Sequence, residues 1–444
     1  MTRLETDSDT PTPSDPEEPP VVRRDRTRRR GGDSRRAGAE TAGSTDSGGS
    51  RRGSHRDRPT IVHPARMWPY VVLSVVCVGA LVTLAWEGYR TSLDIRGGVE
   101  SKVTDPSKPG YEAQVQPTPT HLLISTTSDG KVGDAYLVAE GNGGSGGSVL
   151  FIPGLIVVQV DGEPFNLADL ADRKGIGAVV DAVQRALDIG VTNAVQVTPD
   201  VLERLVEPAG ALAVQNPDAL GGSGGGTAFP AGDIEVQPDQ VADYLSILDA
   251  GESIVDRPVR AADLWESWIS KLAADTAAVP SDVTAPAIAD GEPVDLASIV
   301  GGLAKGQVSY QQLPVDRLEV PNSGGFAVYE PDAAGIADTI SRIVPFPSSA
   351  FAGQRTRVRL LRGTSDEHVT LRAAQPLVAA GGEILVLGNA SSFHVAATRV
   401  EYNAPSQKAV AQDMAKRLGV GEATAGSESD AVDVTVVIGA DFTG

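Results

Sequence analysis

From Thr120 onwards the chain alternates between short apolar runs and polar turns before it settles into helical spacing. The runs His121–Ser125 (HLLIS), Asp134–Val138 (DAYLV) and Val149–Ile152 (VLFI) predict a strand meander, joined by the turns TTSDGKVG and EGNGGSGG. Ile176, Val179, Val180, Val183 and Leu187 then recur every three or four residues, which predicts a helix over 176–187. A strand over Asn193–Val197 and a helix over Pro199–Val206, with Val201, Leu202 and Leu205 on one face, follow at once. Further on, DQVADYLSIL and ADLWESWISKL read as helices, the second placing Leu264, Trp268 and Leu272 on one side. Residues 274–293 read as a loop, Leu296–Leu303 as another helix, QVSYQQLPV as a strand, and Ile336, Ile340 and Ile343 as a last helix. Strands and helices mixed at this density predict an α/β domain with a mixed sheet.

Beyond the linker PFPSSAFAGQ the order changes to strand (RVRLLRG), helix, strand (EILVLG), strand (TRVEYN), helix, strand (DVTVVIG). That βαββαβ order predicts a small two-layer α/β domain, ferredoxin-like or related. Thr364-x-x-Glu367 suggests a capping box for its first helix, which Pro376 should kink, and Gly419 suits the end of its second.

The N-terminal side is different in kind. Residues 1–66 are rich in Arg, Ser, Gly, Asp and Pro and predict a disordered tail, because they cannot bury enough apolar surface to offset chain entropy. Residues 67–86, MWPYVVLSVVCVGALVTLAW, carry no charge and have the length of a transmembrane helix, with Trp68, Tyr70 and Trp86 as interfacial anchors. Residues 87–116, with GG, DPSKPG and PTPT, read as a stalk. The expected domains are therefore a tail (1–66), a membrane helix (67–86), a stalk (87–116), an α/β domain (117–348), a linker (349–354) and a C-terminal domain (355–444).

Charge sets the orientation and narrows the partners. Residues 21–66 hold thirteen Arg against five acids (Asp25, Asp33, Glu40, Asp46 and Asp57), a net of +8, which places the N-terminus in the cytoplasm and both domains outside the plasma membrane. The first 66 residues carry +3 and the whole chain −20, so the exported part carries −23. No nucleic-acid partner is expected, because so acidic a surface releases no counterions from a phosphate backbone. Cys77, the single cysteine, lies in the apolar span, which excludes an external disulfide framework or thiolate zinc site.

Familiar catalytic patterns are missing. GGSGGS and GGSGGG are not followed by the Lys-Ser/Thr of a phosphate loop; the five His form no i, i+3 or i, i+4 pair; and there is no GxSxG. Asp129 and Asp134 fall near one sheet edge, where two acids could hold Mg2+ against a pyrophosphate. Asp129-Gly130 is equally a hairpin turn and is read as one, which leaves the role of Asp134 open. Arg257 and Arg260, three residues apart, could clasp an anionic phosphate or pair with Asp256, Asp263 or Glu266. The stretch VLFIPGL (149–155) poses a question of its own: it runs like a buried strand, then breaks at Pro153-Gly154 with no charge at its end.

The segments RVRLLRGT, AAGGEILVLGNAS, TRVEYN, KRLGV and VTVVIGADF resemble the LytR C-terminal domain found in actinobacteria, and residues 117–348 resemble the LytR-CpsA-Psr family of membrane-anchored envelope phosphotransferases. The resemblance implies transfer of a glycan phosphate from a polyprenyl-pyrophosphate carrier to peptidoglycan or a similar acceptor, with Mg2+ and arginines around the pyrophosphate. Val132-Gly133-Asp134-Ala135-Tyr136 matches the family's R-S-D-T-M, keeping the acid and losing the arginine to Val132. Ile152-Pro153-Gly154-Leu155 matches I-P-R-D, with Gly154 and Leu155 in place of both charges, and Arg257-Pro258-Val259-Arg260-Ala261 matches R-x-x-R-Q with both arginines kept. Losing one such donor can cost roughly 10²- to 10³-fold in rate.

The leading expectation is thus a degenerate envelope protein of this type that binds a polyprenyl phosphate or polyprenyl-linked glycan, or assists glycopolymer attachment to the cell wall. One alternative is a Mg2+-dependent phosphotransferase with a rearranged site of Asp134, Arg257, Arg260, Arg173 and Lys174. Another is a scaffold for family enzymes or other wall-synthesis proteins. A transcriptional regulator is disfavoured by the expected topology.

Overall fold

The computed structural model describes residues 98–221, 227–248, 252–289, 291–319, 327–427 and 431–444. The tail and the apolar span of 67–86 lie outside the described residues, among which no helix is long and apolar enough to cross a membrane.

The first strand, β1 (Glu112–Gln114), belongs to a sheet formed much later in the chain. A hairpin, β2 (Thr120–Thr126) and β3 (Val132–Glu140), is followed by β4 (Gly147–Ile152), a small hairpin of β5 (Val157–Val160) and β6 (Glu163–Asn166), and helices α1 (Leu167–Lys174) and α2 (Ile176–Leu187). Next come β7 (Asn193–Val197), α3 (Pro199–Val206), β8 (Leu212–Asn216), the short pair β9 (Leu220–Gly221) and β10 (Thr227–Phe229), and β11 (Gly232–Val236), paired with β8. Helix α4 (Val241–Ser246) is shorter than DQVADYLSIL suggested, whereas α5 (Arg257–Ala274) starts five residues before ADLWESWISKL, because Pro258 is accommodated in a first helical turn. The loop 274–293 contains β12 (Thr284–Ala285), which pairs with β13 (Val294–Asp295) ahead of α6 (Leu296–Leu303). QVSYQQLPV splits at Pro314 into β14 (Val308–Gln312) and β15 (Val315–Leu318), the latter pairing with β16 (Val328–Pro331) before α7 (Ala333–Ile343).

Strands β14, β4, β3, β2 and β7, in that order, make one mixed sheet: β3 is antiparallel to both neighbours, and each outer strand is parallel to the strand beside it. Both faces are covered. Leu122, Ile124, Leu137, Leu150 and Ile152 pack with α1, α2 and α7, while Leu123, Tyr136, Val138, Val149 and Phe151 pack with α3 to α6. This accounts for the unbroken apolar run of VLFI, whose successive side chains enter opposite cores.

The second core is aromatic. Tyr136 lies 5.6 Å from Phe151 and 5.5 Å from Trp265, which lies 5.3 Å from Trp268. The buried Tyr244 stacks edge-on against Phe229. Burial pushes the phenols of Tyr244 and Tyr310 up to about 12. Unfolded tyrosine ionises near about 10, so both groups favour the fold below that pH and lose this contribution as pH rises from about 10 to about 12. A difference-absorbance titration should show late tyrosine ionisation coinciding with loss of stability over that window; normal titration of every tyrosine in the folded protein would contradict it.

The C-terminal part runs β17 (Thr356–Arg362), α8 (Val369–Ala379), β18 (Gly382–Asn389), β19 (Arg399–Tyr402), α9 (Lys408–Arg417), β20 (Thr424–Ala425) and β21 (Val434–Ile438). The sheet order is β1-β18-β17-β21-β19-β20, with β17 parallel to both β18 and β21. The βαββαβ order is present, but the ferredoxin-like option is not: β17 and β18 are direct parallel neighbours, a pairing that chain order alone does not specify. Gly419 ends α9 at φ +70°, as expected of it. The capping box does not form, since α8 begins only at Val369 and, among the described residues, the Thr364 hydroxyl is buried without a partner. The helix continues past Pro376.

Two connections differ from their expected character. Over 98–116 the supposed stalk is folded onto the C-terminal sheet, where β1 pairs with β18. The supposed linker is packed as well: Gln354 donates to the Gln184 carbonyl at 3.0 Å and the Arg185 guanidinium sits 4.0 Å from the Phe351 ring centre. Beside it the buried Arg355 donates to Gly382 O at 3.1 Å and to the Asp188 carboxylate at 2.9 Å. Burial raises the Asp188 carboxyl and lowers the Arg355 guanidinium from their ordinary values.

Candidate functional site

The end of the five-stranded sheet where β2 turns into β3 brings the candidate acids together with the start of α5. Asp129 belongs to the turn: Thr127 N donates to Lys131 O at 2.9 Å, Gly130 takes φ +80°, and Asp129 faces solvent beside Lys131. The Thr127 hydroxyl is the main cause that holds the Asp129 carboxyl below its usual range. Asp134 points the other way, at 8% exposure. Its Oδ1 accepts the Gly154 N–H at 2.8 Å and pairs with the Arg257 guanidinium, itself 6% exposed.

Arg257 and Arg260 occupy the first turn of α5, where the helix dipole disfavours cations, and each has a carboxylate beside it, the buried Asp134 and the half-buried Glu252. Neither takes the partners expected from neighbouring sequence. Arg257 pairs with Asp134, and Arg260 pairs with Glu252 at 3.2 Å, donates to Ile247 O at 2.6 Å and lies over Tyr244. Burial lowers the Arg260 guanidinium from its ordinary value. Among the described residues the Nε of each arginine is buried without a hydrogen-bond partner.

A cavity of about 350 Å³ opens above the Asp134–Arg257 pair. Its walls include Val197, Leu202 and Leu245, and its lining includes Leu155 and Leu248, which are 39% and 38% exposed. Ser125, Thr127 and Thr198 add hydroxyls. Arg260 faces a separate cavity with Gln215 and Asp263. Arg173 and Lys174 are not brought to either: both lie over the Phe165 ring, and Lys174 pairs with Asp161 at 2.6 Å. The larger cavity, about 780 Å³, sits beside β7 with His121, Asp181, Glu292 and Asp295. Among the described residues no arginine or lysine lines it, so it does not suit an anion.

The substituted positions explain the uncharged end of VLFIPGL. Val132 is buried, and Gly154 packs its backbone onto β3: a Cβ at that position would lie 2.7 Å from the Gly133 carbonyl carbon and closer still to the oxygen. A side chain at 154 has no room. Mg2+ is poorly suited as well, because Asp134 Oδ1 is engaged by a guanidinium and an N–H, and the guanidinium repels a second cation. Among the described residues no group of three or more His, Cys, Asp or Glu is arranged to hold a metal. No sequence pattern pointed to Ser246 or Leu248, which line the cavity from the end of α4 and the loop after it, or to Glu252, the partner of Arg260.

Residues 355–442 match the LytR_C family, "LytR cell envelope-related transcriptional attenuator". This segment is a LytR C-terminal domain. The match starts one residue before β17, so β1 is an addition to the LytR C-terminal domain from outside its matched span. Among solved structures the chain is similar to TagV of B. subtilis, at 15% identity and TM-score 0.40, over 52% of this chain and 96% of that one. It is similar to the LytR-CPS2A-psr family protein YwtF (TagT) with bound octaprenyl pyrophosphate lipid, at 14% identity and TM-score 0.38, over 55% and 92%. It is also similar to protein gbs0355 from Streptococcus agalactiae, at 16% identity and TM-score 0.40, over 51% and 86%. No curated protein matches the chain.

Proposed function

We propose that this is a cell-envelope protein of the LytR-CpsA-Psr type that binds a polyprenyl-linked phosphate or pyrophosphate and does not transfer it. The observation that carries this reading is an apolar-walled cavity with a buried arginine, Arg257, in its lining. An amphiphile with an anionic head fits that combination: the head meets the cavity-lining edge of the Arg257 side chain and the Thr198 hydroxyl, and the chain leaves past Leu155 and Leu248. Turnover is disfavoured because Asp134 is committed to Arg257 and Gly154, and position 154 cannot carry a charged group.

The protein is read as anchored in the plasma membrane through 67–86 with its folded part outside, which would place the cavity where lipid-linked glycans are found. Octaprenyl phosphate and octaprenyl pyrophosphate are the probes. Native mass spectrometry of the purified chain should show one bound lipid that persists in EDTA and is lost in Arg257→Ala. Failure to take up either lipid overturns the binding reading. Mg2+-dependent release of phosphate or glycan from a lipid-linked donor would instead establish the enzyme.

A further inference from the structure

We propose that the outer edge of β18 is a strand-capture site through which two copies of this chain exchange residues 98–116. The segment is held away from its sequence neighbours. Asn389 N donates to Tyr111 O at 2.7 Å, Val115 N to Leu385 O at 2.8 Å and Gly110 N to Ala390 O at 2.9 Å.

The edge is built for this segment. Arg359, 7% exposed, donates to Gly98 O at 2.6 Å, pairs with Glu100 at 2.8 Å and reaches Glu112 at 3.9 Å. The Asn389 amide donates to Pro106 O and Lys108 O at 2.8 and 2.7 Å. Gly388 leaves the gap into which the strand fits, since a Cβ there would lie 3.1 Å from Glu112 Cα.

Three features suit exchange with a second copy. Among the described residues β1 is the outermost strand, so withdrawing it breaks no pairing on its far side. Thr118 stays with the body through Thr118 N to Phe346 O at 2.8 Å and Phe346 N to Thr118 Oγ1 at 3.2 Å, which leaves Gln116-Pro117 as the pivot. A vacated edge is a template for an extended strand, and the ligand with matching charges and backbone register is the same segment of another copy. The hydrogen bonds and ion pairs that hold the segment within one copy re-form between the two, as in other strand exchanges.

The register supplies the test, because Ala113 lies opposite Leu387. In full-length chains carrying Cys77→Ser, Ala113→Cys is placed on one tagged copy and Leu387→Cys on a second, and the two are co-expressed and treated with a short bis-maleimide. The expected product is a two-chain adduct, reduced several-fold by Gly388→Ala and absent when the exposed Leu371→Cys replaces Leu387→Cys. The proposal is overturned if the separate copies give no adduct while one chain carrying both cysteines closes on itself. An adduct equally strong with Leu371→Cys, or unaffected by Gly388→Ala, overturns it too.

Discussion

Placing an arginine at position 154 should disrupt the strand end without restoring a phosphotransfer site. The resemblance to I-P-R-D invites the view that a charged side chain was trimmed from an intact frame. The backbone argues otherwise, because Gly154 packs against Gly133 and donates its N–H to Asp134 at 2.8 Å. Even Gly154→Ala adds a Cβ at 2.7 Å from the Gly133 carbonyl carbon, so β3 and the Pro153-Gly154 turn must part. Overpacking of this kind costs roughly 1–3 kcal/mol, and Gly154→Arg should exceed Gly154→Ala. Denaturant unfolding of the two variants measures this. An alanine variant as stable as the parent would show that the frame is open after all, and the trimmed-side-chain account would return.

The second large effect is expected at the Asp134–Arg257 pair. Arg257→Met leaves a buried carboxylate with only the Gly154 N–H, and removing one partner from a buried pair costs about 3–5 kcal/mol. Asp134→Asn keeps an acceptor for Gly154 but strands the arginine. The double variant should recover much of the loss, because neither charge is then left buried alone. A double-mutant cycle reads the coupling directly, and a near-additive result would mean that the pair is solvated and contributes little. The double variant should still fail to bind lipid, which separates the role of Arg257 in binding from its role in folding.

Much of the fold was legible in the sequence because local pattern and burial agree there. The helices at 176–187 and 199–206 and the strand at 193–197 have the expected bounds, each with apolar positions at the period of its element. The failures share a cause: they depend on what lies next to a segment in space. Nothing in DPSKPGYEAQ shows that Glu112–Gln114 will find β18 more than two hundred and fifty residues later. Nor does composition reveal that β17 lies between β18 and β21. At the site, sheet-edge placement and spacing singled out Asp134, Arg257 and Arg260 before the resemblance did, and the structure joins the first two. Their partners were not legible, since local charge pointed to Asp256, Asp263 and Glu266, whereas the pairing is set by where α5 meets β3 and by the loop that carries Glu252.

The aromatic core also supplies an optical reporter. The chain has four tryptophans, Trp68 and Trp86 bounding the apolar span and Trp265 and Trp268 side by side beneath the sheet. A chain carrying Trp68→Phe and Trp86→Phe would emit from one place only, the layer between α5 and strands β3 and β4. Its emission would be blue-shifted and shielded from aqueous quenchers, and a prenyl chain wedged into that layer would have to move the emitting rings. Fluorescence can therefore distinguish a lipid confined to the outer cavity, which leaves the spectrum unchanged, from one that enters the core.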